Sequence, residues 1–389
     1  MRTWRKNPYA PALIRLNGDC LKKSQWILGG LVLLAFAALL FWARTHVSFN
    51  FHLFATQVAL ADWRIILLAV LCIYANFVFR AFRWRRLMRH AQQVSAFSLL
   101  GSQVMGFTAV ALIGRVADPV RPYLVSKKTG SPLSTQLAVY IVERLLDAGS
   151  VALLFSVGMI WVPGDAILSA TAHTGPLAHL ALHHRDLALA AARFGGLALT
   201  VMGTLFLFAV RLAGEPVAAV FERGLSLVSK NLAHTAAHKI RTFHSGLDTI
   251  RSLRDFAAVA SLSICMWILI CFAYFETCRA FIASPELAGI TAPKCVLLMV
   301  ASGTASIIQL PVIGWFSQIG LVVVALTGIL GANAEAATAC AATLLLVTFL
   351  GIVPVGLIWA QFENVSLRKV ASESEKAEEG LEPEAPPVS

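Results

Sequence analysis

The stretch VYIVERLLDAGSVALLF, residues 139–155, places three charged residues in the middle of a segment otherwise suited to lipid. In a helix, Glu143 and Asp147 are four residues apart and share a face, while Arg144 and Asp147 are three apart and can pair. An ionised side chain at membrane depth costs at least about 2.5–3.5 kcal/mol. We therefore predict that this helix faces a bundle interior or a water-accessible cavity. It would act there either as an ion-pair clasp between helices or as part of a pathway for a polar headgroup.

The composition is that of an integral membrane protein. Of the 389 residues, 58% are hydrophobic and 14% are charged, whereas soluble domains are about a quarter charged. Several apolar runs reach the roughly 20 residues that cross about 30 Å of hydrocarbon as a helix, and they lack the alternation of barrel strands. The seven cysteines form no CxxC pair, which indicates buried apolar side chains and no zinc site.

We predict an all-α integral membrane protein with about eight transmembrane helices in one domain, residues 25–362. The predicted helices are 25–43, 64–82, 136–161, 189–211, 256–282, 294–310, 316–332 and 336–361. A basic head, 1–24, precedes the domain, and an acidic tail rich in Pro and Glu, 363–389, is expected to be disordered. Because basic loops mark the cytoplasmic side, the basic head places the N-terminus in the cytoplasm.

The apolar stretch 97–114 has basic residues on both flanks, and a single crossing cannot have both ends in the cytoplasm. We therefore predict a re-entrant hairpin in this region. Its breaks are expected at glycines and proline pairs, namely Gly101, Gly106, Gly114, Asp118-Pro119 and Arg121-Pro122.

A faint internal symmetry accompanies this hairpin. The order helix, broken segment, helix, helix in 64–211 recurs in 256–361, which suggests an inverted repeat of the kind found in transporters. The sequence leaves open whether 294–310 spans the membrane or re-enters it, and hence on which side the C-terminus lies.

Two basic segments are expected to contact the anionic cytoplasmic leaflet. The first is RAFRWRRLMRH, residues 80–90, which we interpret as an interfacial belt of snorkelling arginines. Its leaflet-contacting residues would be Arg80, Arg83, Arg85 and Arg86. The second is 214–254, where apolar residues recur every three or four positions and predict an amphipathic helix with a basic polar face.

A second polar cluster lies in GRVADPVRPYLVSKK, residues 114–128, where Arg115, Asp118 and Arg121 recur three apart. Guanidinium groups suit phosphate oxygens bidentately, so a phospholipid headgroup or a polyprenyl phosphate fits. Positive-inside anchoring explains the same residues, and Arg121 could instead pair with Glu143 or Asp147. Further along, Glu276 and Arg279 in FETCRAF are three apart and suggest a structural pair.

Motifs for chemistry are absent from the sequence. It contains no Walker A loop, no HExxH and no GxSxG, so neither a nucleotide-hydrolysing site nor a hydrolase nucleophile is predicted. We expect no enzyme activity, no metal, no cofactor and no nucleic-acid partner. The oligomeric state is left open.

Three motifs together resemble the lysylphosphatidylglycerol synthase transmembrane region, a flippase-like domain found alone or fused in bacterial multiple-peptide-resistance proteins. They are FRAFRW at 79–84, GRVADPVRPYLVSKKTG at 114–130 and VERLLD at 142–147, and the likeness covers about 60–362. The resemblance implies a protein that moves a polar lipid across the bacterial inner membrane. The family-like polar residues would be Arg121, Glu143, Arg144 and Asp147.

The sequence departs from this family in two loops. Where the first loop of the family often has Gly-Glu, this chain has Ala117-Asp118; where the second commonly ends in Glu, it has Gln318 in GWFSQ. If that acid couples protons in relatives, such coupling is not expected here. The segment after Glu363 is too short for an aminoacyl-transferase domain, so lysine-lipid synthesis is not expected either.

These observations support one leading hypothesis and two alternatives. The leading one is a flippase-like transporter of a polar or anionic phospholipid or a polyprenyl-linked lipid. The alternatives are an intramembrane transferase acting on a lipid-linked substrate and a membrane scaffold of a lipid pathway. The candidate substrate-binding residues are Arg115, Asp118, Arg121, Glu143, Arg144, Asp147 and Gln318, with Glu276 and Arg279 as a second polar pair.

Overall fold

The computed structural model describes residues 50–89, 92–162, 184–212, 214–226, 253–305, 313–366 and 369–374, and every element in these ranges is helical. The all-α prediction is therefore confirmed for this part of the chain. The chain divides into two compact units, Met1–Phe51 and His52–Ser389; the description below concerns the second. The predicted basic head and the predicted span 25–43 lie outside the described residues.

The N-terminal half contains seven described helices. They are α1 (Phe51–Leu60), α2 (Trp63–Met88), α3 (Ala96–Ile113), α4 (Val120–Thr129), α5 (Leu133–Ile160), α6 (Arg185–Leu212) and α7 (Gly214–Ser226). The remainder contains α8 (Leu253–Arg279), α9 (Pro285–Ala288), α10 (Ala292–Ala305), α11 (Ile313–Ala325), α12 (Ala334–Leu345) and α13 (Ile352–Phe362). Two π-helical turns, Leu326–Leu330 and Leu346–Leu350, follow α11 and α12.

Local sequence signals set several of these boundaries. Helix α2 begins after Asp62, whose carboxylate accepts a hydrogen bond from the backbone N–H of Arg64 at 2.9 Å. Helix α12 begins after Asn333, whose side chain caps the N–H of Ala336 at 2.7 Å. Such side chains satisfy donors that the first helical turn leaves unpaired.

The described residues contain four helices long and apolar enough to cross a membrane, and at most five if the bent pair Arg185–Ala191 and Arg193–Leu205 is one span. The four are Trp63–Met88, Ala96–Ile113, Arg254–Arg279 and Ala334–Phe362. The prediction of about eight spans is thus not confirmed. Helix α5 has 28 residues, but every 18-residue stretch of it contains all three of its charges. The described part of the predicted span 294–310 forms α10, and residues 306–310 lie outside the described part. The predicted span 316–332 corresponds to α11 and the π-helical turn after it, which together form the shorter apolar helix Gly314–Leu330.

Of the breaks predicted for the hairpin at 97–114, the structure has those at Gly114 and Asp118-Pro119 and lacks the others, and re-entry into the membrane stays a prediction. This stretch forms the continuous helix α3, and the chain turns only at Gly114, with φ +92°, before a 3₁₀ turn leads to α4. Gly101 and Gly106 do not break α3. They are packing positions, because a Cβ at Gly106 would lie 2.7 Å from Cβ of Arg121 on α4, and one at Gly101 would meet Trp359 on α13. Small residues are favoured where helices approach this closely.

Three helix pairs form the frame of the bundle: α2 packs along α8, α5 along α6, and α3 along α13. The largest apolar core joins α2, α8, α10, α11 and α12. Large apolar side chains such as Leu67 and Leu71 of α2 and Phe272 of α8 point outward instead, as expected for surfaces that face lipid. The suggested inverted repeat stays a prediction.

The C-terminal segment is partly ordered, which corrects the predicted start of the disordered tail. Glu363 pairs with Lys128 at 2.7 Å, residues 369–374 are helical, and the hydroxyl of Tyr123 donates to Glu373 at 2.8 Å. These contacts to α4 give the segment fixed partners that its composition did not reveal. Residues 375–389 lie outside the described part, as do 227–252 of the predicted amphipathic helix; its first portion forms α7.

Candidate functional site

Helix α2 contributes two arginines to the centre of the bundle. Arg80 and Arg83 are 8% and 0% exposed, and Arg80 donates from Nε to Oδ1 of Asn76, one turn earlier, at 2.8 Å. The prediction that Arg80 and Arg83 belong to an interfacial belt was therefore wrong. Helical spacing explains the difference, because Asn76, Arg80 and Arg83 lie on the inward face, whereas Arg85 and Arg89 are exposed.

Helix α5 presents its two carboxylates to this face. Glu143 and Asp147 are 2% and 4% exposed and lie on one side of the helix, as their spacing predicts. Glu143 lies about 15 Å from the start of α5 at 1.5 Å per residue. Its Oε1 is 2.6 Å from Nη2 of Arg83 and 2.8 Å from Nη1 of Arg121. The pairing of Arg121 with Glu143, one of the alternatives considered above, is present.

The second carboxylate ties the same helices together. Oδ1 of Asp147 accepts from Nη1 of Arg83 at 2.5 Å, and Oδ2 lies 2.9 Å from Nη2 of Arg144, which is the predicted i,i+3 pair. A further hydrogen bond comes from α8, where Nε1 of Trp267 donates to Oδ1 of Asp147 at 3.2 Å. Arg83 also donates to Oγ of Ser263 on α8 at 2.8 Å. We call the set Arg80, Arg83, Arg121, Glu143, Arg144 and Asp147 the carboxylate–arginine cluster.

The cluster has more positive than negative charge. Its four guanidinium groups face two carboxylates, which leaves a formal excess of two positive charges among these residues. Aromatic rings offset part of this excess, since the guanidinium of Arg121 lies 4.9 Å from the ring centroid of Trp84 and 5.0 Å from that of Tyr140. Buried ions are tolerated only with counter-charges and hydrogen bonds, so the cluster is suited to receive an anion.

A cavity of about 230 Å³ opens beside the cluster. Arginine side chains and one acid line its charged end: Arg80, Arg115, Asp118, Arg121 and Arg144. Arg115 and Asp118 pair with each other at 3.6 Å. Apolar side chains, including Phe77, Phe107, Ile270 and Phe349, form much of the remaining wall. The cavity therefore combines a cationic end with apolar sides.

The cavity separates the predicted site residues into two groups. Of the trio on α5, Arg144 is the member found among the described lining residues, whereas Glu143 and Asp147 lie behind the arginines. The expectation that these two acids bind substrate directly stays a prediction. Each carboxylate accepts contacts from arginines on other helices, so its electrostatic requirement is met within the protein.

The other two predicted features lie further from the cluster. Gln318 lines the same cavity together with Ser302 and Tyr274. Glu276 and Arg279 form an i,i+3 pair at 3.2 Å; Arg279 is twelve residues from Trp267 on α8, about 18 Å along the axis. This pair is absent from the described cavity lining.

Sequence reasoning missed Arg80, Arg83 and Trp267 as members of the site. The signal that could have found the arginines is their spacing with Asn76, since polar residues at positions i, i+4 and i+7 of an apolar helix mark a buried polar stripe. Helix α5 offers its two carboxylates one guanidinium, that of Arg144, which lies 2.9 Å from Asp147 and 3.2 Å from Glu143; a second cation therefore had to come from elsewhere in the bundle.

A family model described as lysylphosphatidylglycerol synthase TM region matches residues 26–356. No curated protein and no solved structure matches the chain. Together with the membrane-spanning helices described above, the match makes this chain a multi-pass membrane protein.

Proposed function

Because the chain belongs to the lysylphosphatidylglycerol synthase TM region family, whose members are membrane regions associated with lipid biosynthesis or flipping, we propose that it is a flippase-like transporter. It moves an anionic phospholipid across the inner membrane of a bacterium, with its N-terminus in the cytoplasm and without a chemical step. The observation that carries this proposal is the cavity beside a buried cluster with two excess positive charges.

The charged end of the cavity has the chemistry that a phosphate requires. Arg144 is the most accessible guanidinium of the carboxylate–arginine cluster, with 35% of its side chain exposed. Arg80 and Arg121 line the same end. Guanidinium groups bind phosphate oxygens through short, charge-assisted hydrogen bonds, which replace the water that a headgroup loses on leaving the membrane surface.

The carboxylates have a positioning role in this proposal. Glu143 and Asp147 hold four arginines within 3.9 Å of a carboxylate oxygen in the apolar centre of the bundle. Without them, the guanidinium groups would repel one another and turn towards water. The acyl chains of a bound lipid need no polar partner, because they can stay against the apolar outer faces of the helices.

The test is lipid scrambling in reconstituted vesicles. Purified protein is inserted into liposomes that contain acyl-labelled phosphatidylglycerol, and the fraction of label accessible to an external quencher is followed over time. Arg144→Gln should slow scrambling by about 10- to 100-fold, because a hydrogen bond to a charged group contributes about 1.5–3 kcal/mol. The variant keeps Arg83 and Arg121 on Glu143, so folding should persist.

Arg279→Gln is the matched control. Arg279 also belongs to an i,i+3 pair with a carboxylate, at 3.2 Å, but it is absent from the described cavity lining. Its replacement should leave the scrambling rate unchanged. Equal rates in both variants and the wild type would contradict the proposal. Formation of a product from a lipid-linked sugar in the same vesicles would favour the transferase alternative, and neither activity would favour the scaffold.

A further inference from the structure

A groove of about 870 Å³ runs along α2 on the side away from the carboxylate–arginine cluster. Side chains of α2 in the range 78–89 form one wall, and Leu262 of α8 and the segment 92–95 also line the groove. Arg83 points into the cluster, whereas Arg85 lies about 200° further around the helix at 3.6 residues per turn. No described residue lines both this groove and the cavity beside the cluster. The groove is therefore a separate site.

The lining of the groove changes from apolar to basic along α2. Val78, Phe79 and Phe82 come first, and three arginines follow over the next two turns. From residue 78 to residue 89 the helix rises about 16 Å at 1.5 Å per residue. Because α2 is long and apolar enough to cross a membrane, its apolar turns belong at hydrocarbon depth and its terminal arginines at the membrane surface. A phospholipid has the same order, with acyl chains towards the bilayer centre and the phosphate outside them.

The basic part of the groove has an excess of cations. Arg86 and Arg89 pair with one carboxylate, that of Asp255 on α8, at 3.3 and 3.4 Å. Arg85 is exposed and forms no ion pair within the described part of the chain. Three guanidinium groups and one carboxylate leave a formal excess of two positive charges among these four residues. Guanidinium groups bind phosphate oxygens through charge-assisted hydrogen bonds, so this end of the groove suits a phosphate.

A phospholipid fits this groove better than the acidic tail of the chain does. Both have negative charge, but the apolar half of the groove also needs an apolar partner. Residues 375–389 contain only Leu381 and Val388 as large apolar side chains. The last described part of the tail is held at α4, where the hydroxyl of Tyr123 donates to Glu373 at 2.8 Å. An acyl chain can cover the apolar wall while the phosphate of the same lipid meets the arginines.

We infer that this groove binds an anionic phospholipid of the adjacent leaflet, with its phosphate at Arg85 and Arg89 and one acyl chain against Phe79 and Phe82. The inference goes beyond the proposed function, because this lipid is a bound partner of α2 and is not the lipid that the cavity transports. General attraction between basic residues and an anionic leaflet requires no groove. The two explanations therefore differ in which basic residues matter.

Photolabelling of the full-length protein in vesicles tests the site. Phosphatidylglycerol and phosphatidylcholine are compared below saturation, each with the same diazirine on an acyl chain, and labelled peptides are identified by mass spectrometry. Phosphatidylglycerol should label the α2 peptide that contains Phe79 and Phe82 more strongly than phosphatidylcholine. Arg85→Gln combined with Arg89→Gln should reduce this labelling about 25-fold, since one basic residue near an anionic membrane surface accounts for about 5-fold.

Arg254→Gln is the matched control. Arg254 is exposed and precedes Asp255 at the start of α8, so it lies at the same end of the bundle, but it is not among the described lining residues of the groove. Its replacement should leave the labelling of α2 unchanged. The double variant should fold, because both replaced side chains are exposed and Arg86 still pairs with Asp255. Its melting temperature in detergent checks this.

Three results of the labelling experiment would overturn the inference. An equal loss of labelling in Arg254→Gln and the double variant would indicate general attraction to the leaflet. Full competition by soluble glycerol phosphate would assign the groove to a free phosphate compound. Stronger labelling after deletion of residues 375–389 would assign it to the acidic tail.

Scrambling separates this inference from the proposed function. The double variant should scramble lipid at the wild-type rate. If it slows scrambling as much as Arg144→Gln does, the groove belongs to the transport path, and the inference is overturned while the transport proposal stands. If the wild type scrambles no lipid but α2 is labelled as expected, the transport proposal is overturned and the bound lipid stands.

Discussion

Replacing Glu143 should destabilise the protein more than replacing Arg121, although the two residues form one ion pair at 2.8 Å. Glu143→Gln raises the formal excess in the carboxylate–arginine cluster from two positive charges to three, whereas Arg121→Gln lowers it to one. Breaking a buried pair so that charge is left uncompensated costs about 3–5 kcal/mol. In Arg121→Gln the carboxylate keeps Arg83 at 2.6 Å, so we expect a cost of about 1–3 kcal/mol, that of a lost buried hydrogen bond.

Melting temperatures of the purified variants in detergent test this asymmetry. Glu143→Gln should lower the midpoint by on the order of 10 °C and Arg121→Gln by less than half of that, taking about 2–4 °C per kcal/mol. The double variant returns the formal excess to two charges. It should therefore melt above Glu143→Gln alone, because contacting residues are not additive.

The control for this experiment is Glu276→Gln. Its partner Arg279 has 48% of its side chain exposed, so the uncompensated charge can be solvated and the melting temperature should fall by only a few degrees. If Arg121→Gln destabilises as much as Glu143→Gln, or the double variant is the least stable of the three, then excess positive charge does not govern the cluster.

Two further predictions test the packing around the site. Gly106→Ala should lower stability by about 1–3 kcal/mol and slow scrambling, because the added Cβ would lie 2.7 Å from Cβ of Arg121. Gly320→Ala is the control, since its Cβ would meet no described atom within 4 Å, and it should be neutral or slightly stabilising. Equal effects of the two substitutions would refute the contact between Gly106 and Arg121. Oxidation with copper phenanthroline should form a disulfide between Cys278 and Cys340, whose sulfur atoms lie 3.7 Å apart. Mass spectrometry would detect this disulfide, and its absence in the wild type would argue against the packing of α8 on α12.

Within α5, the sequence was sufficient to predict the local arrangement of charge. The spacing of Glu143, Arg144 and Asp147 fixes which of them share a face, and the cost of burying them predicts that this face turns inward. The partners on other helices were not predictable in the same way. An arginine near a helix end, such as Arg83, can either lie at the cytoplasmic surface of the membrane or pair with a buried carboxylate. Only the packing of α2 on α5 and α8 distinguishes these two roles.

The same limit explains the errors in the membrane-spanning segments. Glycine is permissive both for a chain break and for close helix packing, so Gly101 and Gly106 predicted a break where the structure has contacts with Trp359 and Arg121.

The arrangement of charge bears on how a transporter without a nucleotide motif could work. The carboxylate–arginine cluster is held by ion pairs between α2, α4 and α5, so its excess charge cannot be removed by a small shift of one side chain. An anionic headgroup neutralises part of that excess, and its release restores it. The occupied cavity is therefore electrostatically favoured over the empty one. Under the proposed function, this difference favours exchange of one bound headgroup for another over release of the headgroup and return of the empty cavity to the first leaflet. The scrambling rate should then rise with the content of anionic lipid in the vesicle.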